Sequence, residues 1–395
     1  MVMGTDGDGG TGGHDHAAVA ASLGLDWEDA RARVLQRITD YVSQETPSAH
    51  APQLEELAAR IADDMRAAGM EVTAHAAPEL GTNLVGELPG REVAPPVVML
   101  AHIDTVHPIG AFPAALRIEN GRAYGPGVYD MKAGAALLVE ALTHLRARGR
   151  SPRRPVRLLI TCDEEIGSHS SRPLIEAHAR AAGAVLVPEP SMPDGGVKTG
   201  RKGVATYRLE TTGTAAHAGI DPGLGVSASH ELARQMLDVF ALADHQRGTT
   251  VNIGMIGAGT ASNVIPGLAW AAIDVRLADP AEGERVHAAL MKLRPYDGRS
   301  SVTVQRTEFR PALVRTPQVA ALYEHAHALA AELGMDLGEG ATGGGSDGSI
   351  AAAMGAAVLD GLGPRGAGAH TLDEHIVIDD LPFRLALLCR LLETL

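Results

Sequence analysis

A chain of 395 residues exceeds the size at which one hydrophobic core keeps growing, so two domains are expected. Hydrophobic residues at 45% and charged residues at 21% exclude a disordered or fibrous chain, and aromatics at 3% leave a core of small aliphatics. A formal net charge of −14, with no basic stripe to offset it, argues against a nucleic-acid partner and favours a cation or a small molecule.

In chain order, residues 1–25 open with MVMGTDGDGGTGGHDH and are expected to form a Gly/Asp-rich disordered tail, with His14 and His16 as surface residues. The start lacks the basic residues and apolar run of a signal peptide, and no segment is apolar for long enough to span a bilayer. Cys162 and Cys389 are the only cysteines and lie far apart, which provides no disulfide framework. A cytoplasmic protein that needs no membrane is the expectation.

Apolar residues at helical spacing predict helices over 26–42 and 53–68. A buried strand follows at 97–103, then a helix at 131–145, a strand at 156–162, a helix at 171–183 and a strand at 184–188. Continuous apolar strands alternating with helices imply an α/β fold, a mostly parallel sheet flanked by helices. The middle of the chain changes rhythm. Strands at 204–213, 250–257, 268–277 and 301–309, with helices at 225–244 and 281–293, run in the order β-α-β-β-α-β of an α+β ferredoxin-like domain. The first pattern resumes with a helix over 316–333, the loop TGGGSD at 342–347 and a last helix over 379–395. The predicted organisation is one discontinuous domain, 26–202 and 310–395, interrupted by an inserted domain over 203–309.

Ligand sites in open α/β sheets lie beyond the carboxyl ends of the strands. Here those ends carry His102 and Asp104, then Asp163, Glu164 and Glu165, then Glu189, and finally His370, while Asp130 precedes a helix. Any one of these acids alone reads as a helix cap or a solvated loop residue. Several carboxylates with two imidazoles and no thiolate suit zinc or a similar divalent cation, and suffice for two ions sharing a carboxylate.

HIDTV at 102–106, GVYDMKAG at 127–134, DEEIGS at 163–168, EP at 189–190, TAAHAG at 214–219, SNVIPG at 262–267, TGGGSD at 342–347 and AHTLDEH at 369–375 carry a resemblance. In order, they are similar to the signature of the di-zinc exopeptidase and deacylase family of glutamate carboxypeptidase, acetylornithine deacetylase and succinyl-diaminopimelate desuccinylase, nearest to the glutamate carboxypeptidase branch. The resemblance implies a zinc-exopeptidase fold holding two divalent metal ions, zinc first, with cobalt or manganese as substitutes. His102 and Glu189 would bind one ion, Glu165 and His370 the other, and Asp130 would bridge them. Asp104 would orient His102, and Glu164 would act as general base on a water held by the ions. Asp163 has no role in the pattern and is expected to meet solvent at the strand end.

In the inserted domain, the resemblance implies that His217 stabilises an oxyanion, often across a dimer, and that Asn263 supports substrate. Arg276 would hold a substrate carboxylate, and backbone N–H groups of Gly344 and Gly345 could meet the same anion. Without the resemblance, His217 and Asn263 read as loop residues, Arg276 as a surface ion-pair residue and the glycines as a flexible turn. His107, Lys202 and Glu374 are expected as supporting residues. The implied activity is hydrolysis of an amide next to a free carboxylate in a small peptide or N-acyl amino acid, by a homodimer joined through the inserted lid/dimerisation domain. The alternatives are an N-acyl-amino-acid deacylase or desuccinylase and, more remotely, a catalytically silent binding protein of the same fold.

Overall fold

A computed structural model describes residues 15–395; His14 and the preceding chain lie outside the described residues. The later part of the expected tail is ordered. Asp15 caps a helix, His16–Leu23, by accepting the Ala17 and Ala18 N–H groups at 3.0 Å. Val19 and Leu23 of this helix are buried, and His16, exposed as expected, stacks its ring on Trp27 at 3.7 Å.

The described chain forms two compact units, one reaching to Lys198 and completed by Pro317–Gly340 and Ala357–Leu395, the other comprising Thr199–Thr316 and Ala341–Ala356. The glycine loop over 342–347 therefore belongs to the second unit, where the expectation had the first pattern resuming through it.

In the first unit the strands Glu71–Ala77, Gly81–Leu88, Val156–Thr161, Val97–His102, Ala184–Val187 and Val358–Asp360 lie side by side in that order. The first two form an antiparallel hairpin that the apolar pattern did not reveal. Val97–His102 pairs in parallel with both Val156–Thr161 and Ala184–Val187, and the latter pairs in parallel with Val358–Asp360. Every residue of Val97–His102 is buried, as a strand covered on both faces requires. These parallel strands all end on the same edge of the sheet. The sheet continues through Val197–Arg201 and Glu339–Thr342, in which the chain passes from one unit to the other.

The helix Ala133–Ala147 is apolar nearly all round and packs with Leu381–Thr394, whose residues are mostly buried as well. Its start is set by close approach. A Cβ on Gly134 would fall 2.1 Å from the Pro188 carbonyl oxygen, so only glycine lets the helix seat beside the end of Ala184–Val187.

The second unit is a four-stranded antiparallel sheet in the order Thr250–Ala258, Leu268–Leu277, Gly203–Thr212, Ser301–Arg310. The helices Ala228–Phe240 and Pro280–Met291 pack on it, and Tyr207, Leu209, Leu232, Ile273, Val286 and Leu290 fill the space between. This is the expected ferredoxin-like order. A two-stranded ribbon, Ala216–His217 with Val264–Ile265, extends it. No described helix is long and apolar enough to cross a membrane.

Candidate metal centre

The common strand edge of the first unit gathers all five expected ligands. Val97–His102 ends in the buried His102, whose Nδ1 lies 3.0 Å from the Asp104 carbonyl oxygen and 3.4 Å from Asp104 Oδ1. Its Nε2 is thereby turned toward Asp130 Oδ1 at 3.2 Å and Glu189 Oε1 at 3.7 Å. Asp130 sits in the irregular turn Val128–Lys132 ahead of the helix beginning at Ala133, and its second oxygen, Oδ2, is 3.4 Å from His370 Nε2. His370 Nε2 is in turn 3.3 Å from Glu165 Oε2. Asp130 therefore stands between two imidazoles, each with a further carboxylate of its own. Its oxygens face those rings, and the helix cap position is Lys132. Ligand atoms of His102, Asp130 and Glu165 lie within 4.8 Å of one another.

The acidic turn Asp163-Glu164-Glu165 owes its shape to Asp104. Asp104 Oδ1 accepts the Glu164 N–H at 3.0 Å, and Oδ2 accepts the Glu165 N–H at 3.1 Å and the Ser48 hydroxyl at 2.8 Å. One buried carboxylate thus orients the His102 ring and the backbone that carries both glutamates. Asp163 is not the solvent contact expected of it. It is fully buried, its Oδ2 accepts the Ser170 N–H at 2.6 Å, and its carbonyl accepts the Ser168 N–H, so it folds the following loop over the strand end.

Glu374 supports the opposite side of the cluster. Its Oε1 accepts the Tyr129 and Asp130 N–H groups at 2.8 and 3.0 Å, and its Oε2 accepts the Gly127 N–H at 3.2 Å and faces His107 Nε2 at 2.5 Å. Lys132, which the sequence reading did not single out, is wholly buried and donates from Nζ to the Gln44 carbonyl; burial pushes its ammonium down to about 7.

The donor set fits divalent cations. Asp104, Asp130, Glu164, Glu165 and Glu189 surround only two imidazoles, and a buried oxygen of Glu165, Oε1, has no hydrogen-bond partner. The crowding is visible in the imidazoles. Hydrogen bonds to Asp130 and Glu165 push His370 up to about 10, and for His102 the neighbouring Asp104 and Asp130 outweigh the burial that would lower it. Asp130 is held well below the usual carboxylate range, since the two histidines outweigh its burial. Hard oxygen and imidazole donors without thiolate are the donors of zinc, cobalt and manganese.

The remaining expected residues lie in the second unit, in two separate places. His217 and Asn263 share the two-stranded ribbon, where Ala218 N–H donates to the Asn263 carbonyl at 2.9 Å. His217 Nδ1 accepts the Gly219 and Ile220 N–H groups at 3.1 Å, which leaves the ring proton on Nε2. Arg276 lies at the far end of Leu268–Leu277, eight residues beyond Leu268 and so about 26 Å along the strand. Its guanidinium grips Asp274 through Nε at 2.8 Å and Nη2 at 2.9 Å, the ion pair that its alternating strand position allowed for. Nη1 reaches the Gly343 carbonyl at 3.4 Å.

Arg201, not anticipated from the sequence, donates to the Gly344 and Gly345 carbonyls at 3.3 and 2.8 Å. The glycine loop thus turns carbonyls toward two guanidiniums, and in a trans peptide the N–H points the opposite way. The basic run GRK was the signal that could have found Arg201. Lys202 donates from Nζ to the Gly248 carbonyl at 2.7 Å.

Carboxylates and imidazoles gathered at the strand ends of an α/β sheet define a metal-dependent hydrolase. The family model described as peptidase family M20/M25/M40 matches residues 98–394, and the chain belongs to this family. It is 33% identical over 375 residues to carboxypeptidase G2 of Pseudomonas sp. (strain RS-16), covering 92% of this chain and 89% of that protein. It is 29% identical over 318 residues to succinyl-diaminopimelate desuccinylase of Verminephrobacter eiseniae (strain EF01-2), covering 76% and 78%. Among solved structures, the M20 family metallo-carboxypeptidase Sso-CP2 of Sulfolobus solfataricus superposes with a TM-score of 0.71 at 18% identity, covering 91% of this chain and 98% of that one. The latter likeness concerns the fold.

Proposed function

We propose that the protein is a glutamate-carboxypeptidase-like amide hydrolase that cleaves the bond next to a free carboxylate in small peptides or N-acyl amino acids. The observation that carries this reading is the placement of Asp130 between His102 and His370, each with its own carboxylate, beside the acidic turn of Glu164. His102 and Glu189 would hold one divalent ion and His370 and Glu165 a second, most readily zinc, with Asp130 shared. Such ions supply a water of lowered pKa and polarise the scissile carbonyl.

Glu164, set by its backbone bond to Asp104, takes the proton of the attacking water and returns it to the leaving amine, so that one water is consumed and an acid and an amine are released. His217 donates from Nε2 to the developing oxyanion, with Asn263 beside it. Arg276, braced by Asp274, holds the substrate carboxylate, while the N–H groups of Gly344 and Gly345, opposed to the carbonyls that face the guanidiniums, do not join that anion site.

The separation of His217 and Arg276 along their own unit favours a homodimer. Arg276 stands about 26 Å along the strand from Leu268, the end beside which the ribbon of His217 begins, so the two serve one small substrate together only if they come from different copies. The exposed Leu237 and Phe240 of one helix and Met255 and Ile256 of the edge strand Thr250–Ala258 supply an apolar face for such pairing.

Glu164→Ala tests the mechanism. Its hydrolysis of N-acyl glutamates is expected to fall by at least about a hundredfold, with bound zinc, measured by metal analysis of the purified protein, unchanged. Full activity in that variant, or protein that holds no divalent metal, would refute the reading.

A further inference from the structure

The irregular turn Val128–Lys132, which carries Asp130, is held at both of its ends. At its start the Glu374 carboxylate accepts the Gly127, Tyr129 and Asp130 N–H groups, and at its end Lys132 Nζ donates to the Gln44 carbonyl. The chain that follows Val97–His102 joins the two holds. Thr105 N–H donates to the Thr46 carbonyl at 2.9 Å, Ser48 N–H to the Thr105 carbonyl at 3.0 Å, and Gly110 N–H to the Glu45 carboxylate at 2.9 Å, which fixes the 105–110 loop to the segment beginning at Gln44. From that loop the His107 ring reaches back to Glu374, with its Nε2 2.5 Å from Oε2. The bonds close into a ring: turn, Glu374, His107, loop, Gln44 segment, Lys132 and turn again.

His107 and Glu374 are both buried, and theirs is the one link of this ring made between two side chains; each of the others has a backbone group on at least one side. The Phe112 ring meets His107 edge-on at 4.9 Å, so packing as well as hydrogen bonding sets the plane of the imidazole. Facing a carboxylate, Nε2 carries the ring proton. Of the four groups that meet the Glu374 carboxylate here, three lie on the turn and its cap, and His107 alone comes from elsewhere. Without it, Oε2 keeps the Gly127 N–H at 3.2 Å, the longest of these bonds, and a buried acceptor short of a donor is costly.

We propose that His107 is a positioning residue: acting through Glu374, it fixes Asp130 for the metal ions and ties the order of the 105–112 loop to metal occupancy. The inference rests on the reading of the Asp130 cluster as a metal centre. His107 touches no ion in that reading. By linkage, whatever free energy the anchored loop adds to metal binding, bound metal adds to the anchoring of the loop.

The test uses full-length protein, with calorimetric zinc titration, chemical denaturation of the metal-free form and amide hydrogen exchange over residues 105–112. His107→Leu fills the site without a donor and is expected to bind zinc about tenfold more weakly. His107→Gln, which restores an N–H toward Glu374, is expected to recover most of that loss. Added to Glu374→Gln, His107→Leu is expected to weaken zinc binding little further, because both act through one carboxylate. Zinc is expected to slow exchange over the loop in the wild type and in His107→Gln, and to leave it unchanged in His107→Leu. Wild-type zinc affinity in His107→Leu, a fully additive loss in the double variant, or a loss that only follows a less stable metal-free protein overturns the positioning role while the metal centre stands. If the wild type itself binds no divalent ion, the metal-centre reading falls and this inference with it.

Discussion

Asp104 and Glu374 each make one carboxylate serve several backbone groups, and through them the metal-facing side chains. Glu374 holds the N–H groups of Tyr129, Asp130 and Gly127 together with His107, so the position of Asp130 is inherited from a residue more than two hundred positions away. Glu374→Gln keeps the size but halves the acceptor capacity; zinc affinity, read by calorimetric titration, is expected to fall by about ten- to a hundredfold. In the second unit, Glu282 plays a purely structural part. Hydrogen bonds from Arg285 and Thr249 hold its carboxyl down to about 2, from a usual 4.5. Because the folded value is depressed, its contribution is complete above 4.5 and is lost as pH falls through 2. Glu282→Gln is therefore expected to lower the stability of the protein at neutral pH and to flatten the acid limb between those values, as followed by denaturation at stepped pH.

The helix Ala133–Ala147 meets the chain just past the strand Ala184–Val187 at Gly134, which lies against the Pro188 carbonyl next to Glu189. Gly134→Ala drives a methyl into the Pro188 carbonyl; a loss of about 1–3 kcal/mol in chemical denaturation, with weaker zinc binding, is the expected outcome. At this scale the sequence carried most of the architecture. Continuous apolar runs marked the parallel strands, and the residues following them converge in one cluster because parallel strands end on one edge. What escaped has local physical reasons. The hairpin Glu71–Leu88 is an edge element with many exposed residues in its first strand, so its alternation is faint. The helix at His16 was hidden by the Gly/Asp run before it, although Asp15 announces it as a cap. Asp163 was read as solvated because a strand end usually is, and its burial depends on the loop that it folds over itself. Arg276 and Asp274 stand two apart on one strand face, a pairing readable from the period of two. The contact of Arg201 with the glycine loop, by contrast, joins segments more than a hundred residues apart, so the basic run GRK could mark the residue and not its partner.

For the whole molecule the central expectation is assembly. Sedimentation of the wild type should give a particle near twice 41.0 kDa, and the double variant Met255→Glu with Leu237→Glu should sediment as a monomer with depressed hydrolysis. The length of strand that sets Arg276 apart from the ribbon of His217 has a genetic consequence. A variant lacking His217 and a variant lacking Arg276 would each be inactive alone, since both sites of either homodimer miss a group. Mixed and allowed to exchange subunits, they form hybrids in which one site collects both intact residues and the other collects neither. Two dead preparations would then complement one another, recovering about a quarter of wild-type activity at random exchange.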